Sequence, residues 1–167
     1  KNFISLFTAI NKMAEKYDMP ILYSCHPRSR NRLVASGFKL DSRVQVQQPL
    51  GFHDYNWLQM NAFAVVSDSG TLPEESSFYA SIGKPISAVC IRTSTERPEA
   101  IDKACFILSG IDTKGLLQSV DLAVQMTKDG NHGIPVPSYT DDVSNKVVKI
   151  IQSYVGVVNK MVWRKEI

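Results

Sequence analysis

Apolar and polar positions along this chain recur with two periods, one of about three and a half residues and one shorter and strand-like. Phe3, Ile4, Leu6, Phe7, Ile10, Met13 and Ala14 fall at helical spacing, with Lys12, Glu15 and Lys16 facing out. This predicts an amphipathic helix from Asn2 to Tyr17, packed on a sheet. Pro20 to Cys25 reads as a short strand, and His26-Pro27-Arg28-Ser29-Arg30 opens a helix that ends at Gly37, with Pro27 placed where a first-turn proline belongs. Val44 to Val46 is a brief strand running into Gln47-Gln48-Pro49-Leu50, and Gly51 to Asn61 is a loop and helix. The apolar run from Ala62 to Val66 reads as a strand covered on both faces, which breaks at Ser69-Gly70 and turns into a helix from Glu74 to Ile82. After Gly83-Lys84-Pro85 come a strand to Ile91, a polar loop from Arg92 to Glu99, a short strand at Phe106 to Leu108 and a helix from Thr113 to Lys128. A loop rich in Gly and Pro then leads to a last helix beginning near Thr140. Strands alternating with helices predict an α/β fold, a Rossmann-like parallel sheet with helices on both faces.

Composition narrows the class. A chain of 167 residues has the size of one ordinary domain. Its net charge of +3, with basic residues spread along the chain, does not suggest a nucleic-acid partner. Cys25, Cys90 and Cys105 are odd in number and lack CxxC spacing, which argues for free thiols in a reducing compartment. No signal-like segment or bilayer-length apolar run is visible, so a soluble, cytoplasmic protein is expected, with no membrane partner. The chain opens on Lys1, directly before a helix, and reads as a piece of something longer.

Candidate chemistry gathers at the strand-to-helix turn Asp68-Ser69-Gly70-Thr71-Leu72-Pro73-Glu74-Glu75. Thr71 and Glu74 have the spacing of a capping box. Gly70 allows close backbone approach, and the N–H groups of the following helix favour an anion such as phosphate. Glu74 and Glu75 would repel that anion unless they point elsewhere, for instance at a pair of sugar hydroxyls. A nucleotide offers both groups, although a well-capped α/β turn explains the pattern equally well. Ligands of parallel sheets sit at the carboxyl ends of the strands. That rule places His26, Gln48, Ser69, Gly70, Glu74, Glu75, Arg92 and Arg97 on one rim. Each also has a plainer reading: His26 as a helix cap, Gln48 bonded to backbone, and the arginines as surface ion pairs with Glu96 or Glu99.

The order and spacing of Asp68-Ser69-Gly70, Glu74-Glu75, Gly83-Lys84-Pro85 and Thr95-Glu96-Arg97-Pro98-Glu99 resemble the non-hydrolysing UDP-N-acetylglucosamine 2-epimerase family. Cys25-His26-Pro27 is similar to that family's histidine motif, and Pro49-Leu50 with Phe52, Tyr55 and Leu58 to its nucleotide-side loop. The Ser69 to Glu75 segment and the tail from Ile151 to Lys165 resemble the branch that makes UDP-N-acetyl-L-fucosamine for bacterial capsules and O antigens. Thr71 stands where the family has a second Gly, and Pro73 where it has Gln.

The resemblance implies the carboxyl-terminal half of a two-domain, glycosyltransferase-B-like isomerase, with most acid-base carboxylates in a missing amino-terminal domain. It implies that Ser69 and Gly70 donate to the diphosphate of a UDP-sugar and that Glu75 takes the ribose hydroxyls. Arg97 would neutralise phosphate charge, and His26 would lie near the diphosphate and the reacting sugar, which makes these two the catalytic candidates. Tyr55 would lie by the uracil through its backbone, and the strand-end rule adds Gln48, Glu74 and Arg92 to the candidate substrate-binding set. The implied reaction eliminates UDP across C1–C2 to give a 2-acetamidoglycal, then re-adds it after reprotonation at C2 on the other face. No metal or other cofactor is implied, and the full-length protein is expected to be a homo-oligomer. Residues 140–167, with apolar Val155, Val157, Val158, Met161, Val162 and Trp163, would form a terminal helix and tail crossing to the missing domain or packing on their own. A glycosyltransferase donor domain and a non-catalytic UDP-binding module would use the same half-fold.

Overall fold

The computed structural model describes residues 2–139 and 142–165. Two compact units divide it, Lys1–Pro135 and Val136–Ile167. The first contains α1 (Asn2–Tyr17), β1 (Ile21–Ser24), α2 (Pro27–Ser36), β2 (Val44–Gln47), α3 (Phe52–Asn61), β3 (Val65–Ser67), α4 (Leu72–Ser81), β4 (Ala88–Cys90), α5 (Pro98–Asp102), β5 (Ile107–Leu108) and α6 (Thr113–Lys128). The second contains α7 (Val143–Met161) after a single 3₁₀ turn, Pro137–Tyr139. The expected helix start near Thr140 lies outside the described residues.

The strands are parallel throughout, as their alternation with helices predicts, but they form two sheets rather than one. β1 pairs with β2 in register from Ile21↔Val44 to Ser24↔Gln47, and β4 lies between β3 and β5, with Val66 opposite Val89 and Cys90 opposite Leu108. One core serves both. Phe7, Ala9, Ile10, Met13 and Ala14 of α1 meet Leu116, Val120, Ala123 and Val124 of α6, with Val44, Val89 and Leu33 completing the cluster. The helical spacing of apolar residues in α1 puts its buried stripe on this core. Its polar edge is tied to α6 by Lys16 pairing with Asp121 and by Tyr17 Oη donating to Asp121 Oδ1 at 2.8 Å.

Three expectations need correction. β3 is only three residues long and half-buried, whereas β4 is the strand buried along its whole length, contacted by α4 and α6. The loop after β4 hides a short helix, α5, which five residues are too few to announce by periodicity. Thr71 is the N-cap of α4 without a side-chain capping bond, because its hydroxyl donates to Glu75 Oε1 instead, at 2.8 Å, and Glu74 is taken by Arg97.

α7 is capped by Asp142, whose Oδ1 accepts from Asn145 N at 3.5 Å and whose Oδ2 accepts from Asn145 Nδ2 at 2.6 Å, and it has no buried residue. Ile150, Ile151, Tyr154, Val155 and Val158 line a shallow apolar hollow along it. Among the described residues no helix is long and apolar enough to cross a membrane.

Candidate functional site

Parallel pairing decides where the polar turns go. Cys25 N donates to Gln47 O at 3.0 Å, so His26 and Gln48 leave adjacent strands at the same end. Ile91 N donates to Ser67 O at 3.0 Å and Ser109 N to Cys90 O at 2.9 Å, which aligns the exits of β3, β4 and β5 likewise. Burial first, then Cys25 and Asp68, push the Tyr23 phenol of β1 up to about 12. Burial likewise raises the Cys90 thiol of β4, with Asp68 adding to the rise and Arg92 opposing it.

His26 is the N-cap of α2, and its Nδ1 accepts from Arg28 N at 3.3 Å. The plainer reading of this histidine is therefore true of it. The same bond leaves Nε2 as the N–H donor of a neutral ring, since one nitrogen of a neutral imidazole accepts and the other donates. Gln48 is exposed just past β2.

The Arg92 side chain stands on one side of Gly70. A Cβ built on Gly70 would stand 3.5 Å from Arg92 Nη1, so the guanidinium lies over this turn. Arg92 makes a two-pronged bond to Glu96, both distances 2.8 Å, which lowers the Glu96 pKa. Arg97 Nε donates to Glu74 Oε1 at 2.6 Å and its Nη1 to Glu96 O at 3.3 Å. Both arginines are thus ion-paired, Arg92 with Glu96 and Arg97 with Glu74.

Glu75 ends a directed chain of hydrogen bonds. Thr71 gives its only hydroxyl proton to Glu75, so the 2.8 Å contact between the Ser69 and Thr71 hydroxyls must be donated by Ser69. Ser69 Oγ in turn accepts from Thr71 N at 3.2 Å. On the other side, Gln59 Nε2 donates to Glu75 Oε2 at 2.7 Å and to Tyr55 Oη at 3.0 Å. Tyr79 Oη lies 2.5 Å from Asn56 Oδ1 and 2.8 Å from Gln59 Oε1, and its single proton is donated to one of the two at a time. Burial, then the Glu75 charge, raises the pKa of both phenols.

The structure therefore joins Ser69, Glu75 and Tyr55 in one network, sets Gly70 beside Arg92, and binds Glu74 to Arg97. Reading along the chain missed Gln59, Asn56 and Tyr79. Gln59 lies on α3 at a position where the apolar pattern gives no warning, and the only available signal was a polar residue between Leu58 and Met60.

This architecture defines an α/β domain with parallel sheets, corresponding to about two fifths of a glycosyltransferase-B-like enzyme. The profile of the UDP-N-acetylglucosamine 2-epimerase family matches residues 1–152, and the chain belongs to that family. It is 31% identical over 139 residues to the UDP-N-acetylglucosamine 2-epimerase of Methanococcus maripaludis, covering 77% of this chain and 37% of the relative. The UDP-N-acetylglucosamine 2-epimerase structure from Rickettsia bellii superposes with a TM-score of 0.73 at 32% identity, over 98% of this chain and 44% of that one. The Methanocaldococcus jannaschii enzyme, solved with UDP-GlcNAc and UDP, shares the fold at a TM-score of 0.72 and 24% identity, over 92% and 41%. The chain spans less than half the length of these relatives.

Proposed function

We propose that this chain is the UDP-gripping half of a nucleotide-sugar 2-epimerase. The diphosphate sits at the Ser69-Gly70 turn beneath Arg92 and Arg97, and the ribose meets Glu75. The observation that supports this most directly is where the two acids go. Glu74 is neutralised by Arg97, and Glu75 is turned toward Thr71 and Gln59, so neither carboxylate opposes an anion at the N-terminus of α4. An arginine pair and helix-terminal N–H groups suit a UDP leaving group, which gains negative charge as the C1–O bond breaks. Phosphate stabilisation then lowers the barrier to elimination as well as holding the substrate. His26 contributes an Nε2–H donor at the same rim.

The sugar is a UDP-2-acetamido sugar. The Ser69 to Glu75 segment, with Thr71 and Pro73 in place of the family's Gly and Gln, favours formation of UDP-N-acetyl-L-fucosamine for capsule or O-antigen synthesis. Proton removal and return at C2 fall to carboxylates of the amino-terminal domain, and residues 1–167 alone bind UDP without turnover. Incubating the full-length protein with candidate UDP-2-acetamido sugars in deuterated water should place label at C2 of both epimers. Transfer of the sugar to an acceptor without C2 exchange would replace this reading with a glycosyltransferase.

A further inference from the structure

We propose that Gln59 is the positioning residue that aims Glu75 at the ribose of a nucleoside diphosphate. The inference rests on the assignment of Glu75 to the ribose hydroxyls. An ionised carboxylate only accepts, with about two lone pairs on each oxygen. Thr71 takes one on Oε1 and Gln59 takes one on Oε2, at 2.8 and 2.7 Å. One lone pair on each oxygen then remains, and these two match the vicinal 2′ and 3′ hydroxyls of a ribose.

Gln59 can hold this geometry because its own orientation is determined. The residue is 3% exposed, and both protons of its amide nitrogen are spent, on Glu75 and on Tyr55. Reversing the amide would bring its carbonyl oxygen within 2.7 Å of a carboxylate oxygen, two acceptors with no proton between them. The phenol of Tyr79, 2% exposed, closes the other side of the amide at 2.8 Å from Gln59 Oε1. A buried polar side chain bonded to Glu75 and Tyr55 and held against Tyr79 is rigid, and rigidity at one remove is what sets a binding carboxylate. An apolar residue at this place would fill the same volume between α3 and α4 but leave Glu75 free to rotate about the Thr71 bond.

The test is the affinity of the full-length protein for UDP and for 2′-deoxy-UDP, measured by calorimetry. Loss of a hydrogen bond to a charged group predicts that the wild type prefers UDP by about tenfold or more, and that Glu75→Gln removes most of this preference. Gln59→Leu should reduce the preference to about threefold or less, with inorganic pyrophosphate binding unchanged. Gln59→Glu covers the case in which the leucine variant does not fold. Two facing carboxyls share one proton, so its preference for UDP should return at low pH, where the new acid donates to Glu75, and vanish at high pH. The wild type should show no such profile. A Gln59→Leu protein that keeps the full preference, or a Gln59→Glu protein whose preference ignores pH, overturns the role of Gln59 while leaving the ribose assignment intact. A wild type that binds both nucleotides alike, or an unchanged preference in Glu75→Gln, overturns the ribose assignment itself.

Discussion

Arg97→Ala is the substitution whose consequence the structure makes most specific. Removing the guanidinium would delete the bond to phosphate proposed for it, a charged hydrogen bond worth about 1.5–3 kcal/mol. It also strips Glu74 of its partner at 2.6 Å and leaves a negative charge beside the proposed anion site. Both side chains of this pair are 38% exposed, so the repulsion is screened by water and amounts to about 1 kcal/mol at 4 Å. UDP affinity should therefore fall by about 2.5–4 kcal/mol, roughly 70- to 900-fold. The double variant Arg97→Ala/Glu74→Gln should recover about fivefold of this, because the screened repulsion is gone. Raising the salt concentration should narrow the gap between single and double variants. Calorimetric titration of UDP into the full-length proteins reads all three effects. An affinity for UDP that Arg97→Ala leaves unchanged would return Arg97 to the role of a surface ion pair and remove it from the site.

Other expectations concern the scaffold. Gly133→Ala should destabilise the protein by about 2–5 kcal/mol in urea unfolding, because Gly133 has φ +90° and its Cβ would lie 2.5 Å from Ala104 O and 2.7 Å from Lys103 O, all backbone. Full stability would show that the 103–104 segment can yield. Leu116→Ala opens a hole in a site with no exposure and should cost about 2–5 kcal/mol, read as a Tm lowered by about 4 °C or more. The Asp41 carboxyl is held down at about 2, first by the Arg43 side chain and then by the Arg43 backbone N–H. Its folded-state value lies below the unfolded one, so its contribution is present above about pH 4 and is lost as pH falls through 2. Asp41→Asn should flatten that stretch of the acid-unfolding curve, and an unaltered curve would remove Asp41 from the acid limb.

Much of the framework was legible along the chain, because helices, strands and their ends depend on residues a few positions apart. The stripe from Phe3 to Ala14 foretold α1, Thr113 to Lys128 is α6 as expected, and His26, Pro27 and Gly37 bracket α2. The parallel order of the strands followed from their alternation with helices, and with it the common exit of β1 with β2 and of β3 with β4 and β5. Only the tertiary structure decided who bonds to whom at those exits. Glu74 meets Arg97 across 23 residues and Glu75 meets Gln59 across 16, so the capping box spelled by Thr71 and Glu74 gave way to partners from other elements. The break between the β1–β2 and β3–β4–β5 sheets and the contact that demands glycine at 133 have the same origin. Local periodicity records which face of a segment is buried, but the choice of a hydrogen-bond partner depends on which distant segment arrives there, and that is settled only when the core closes.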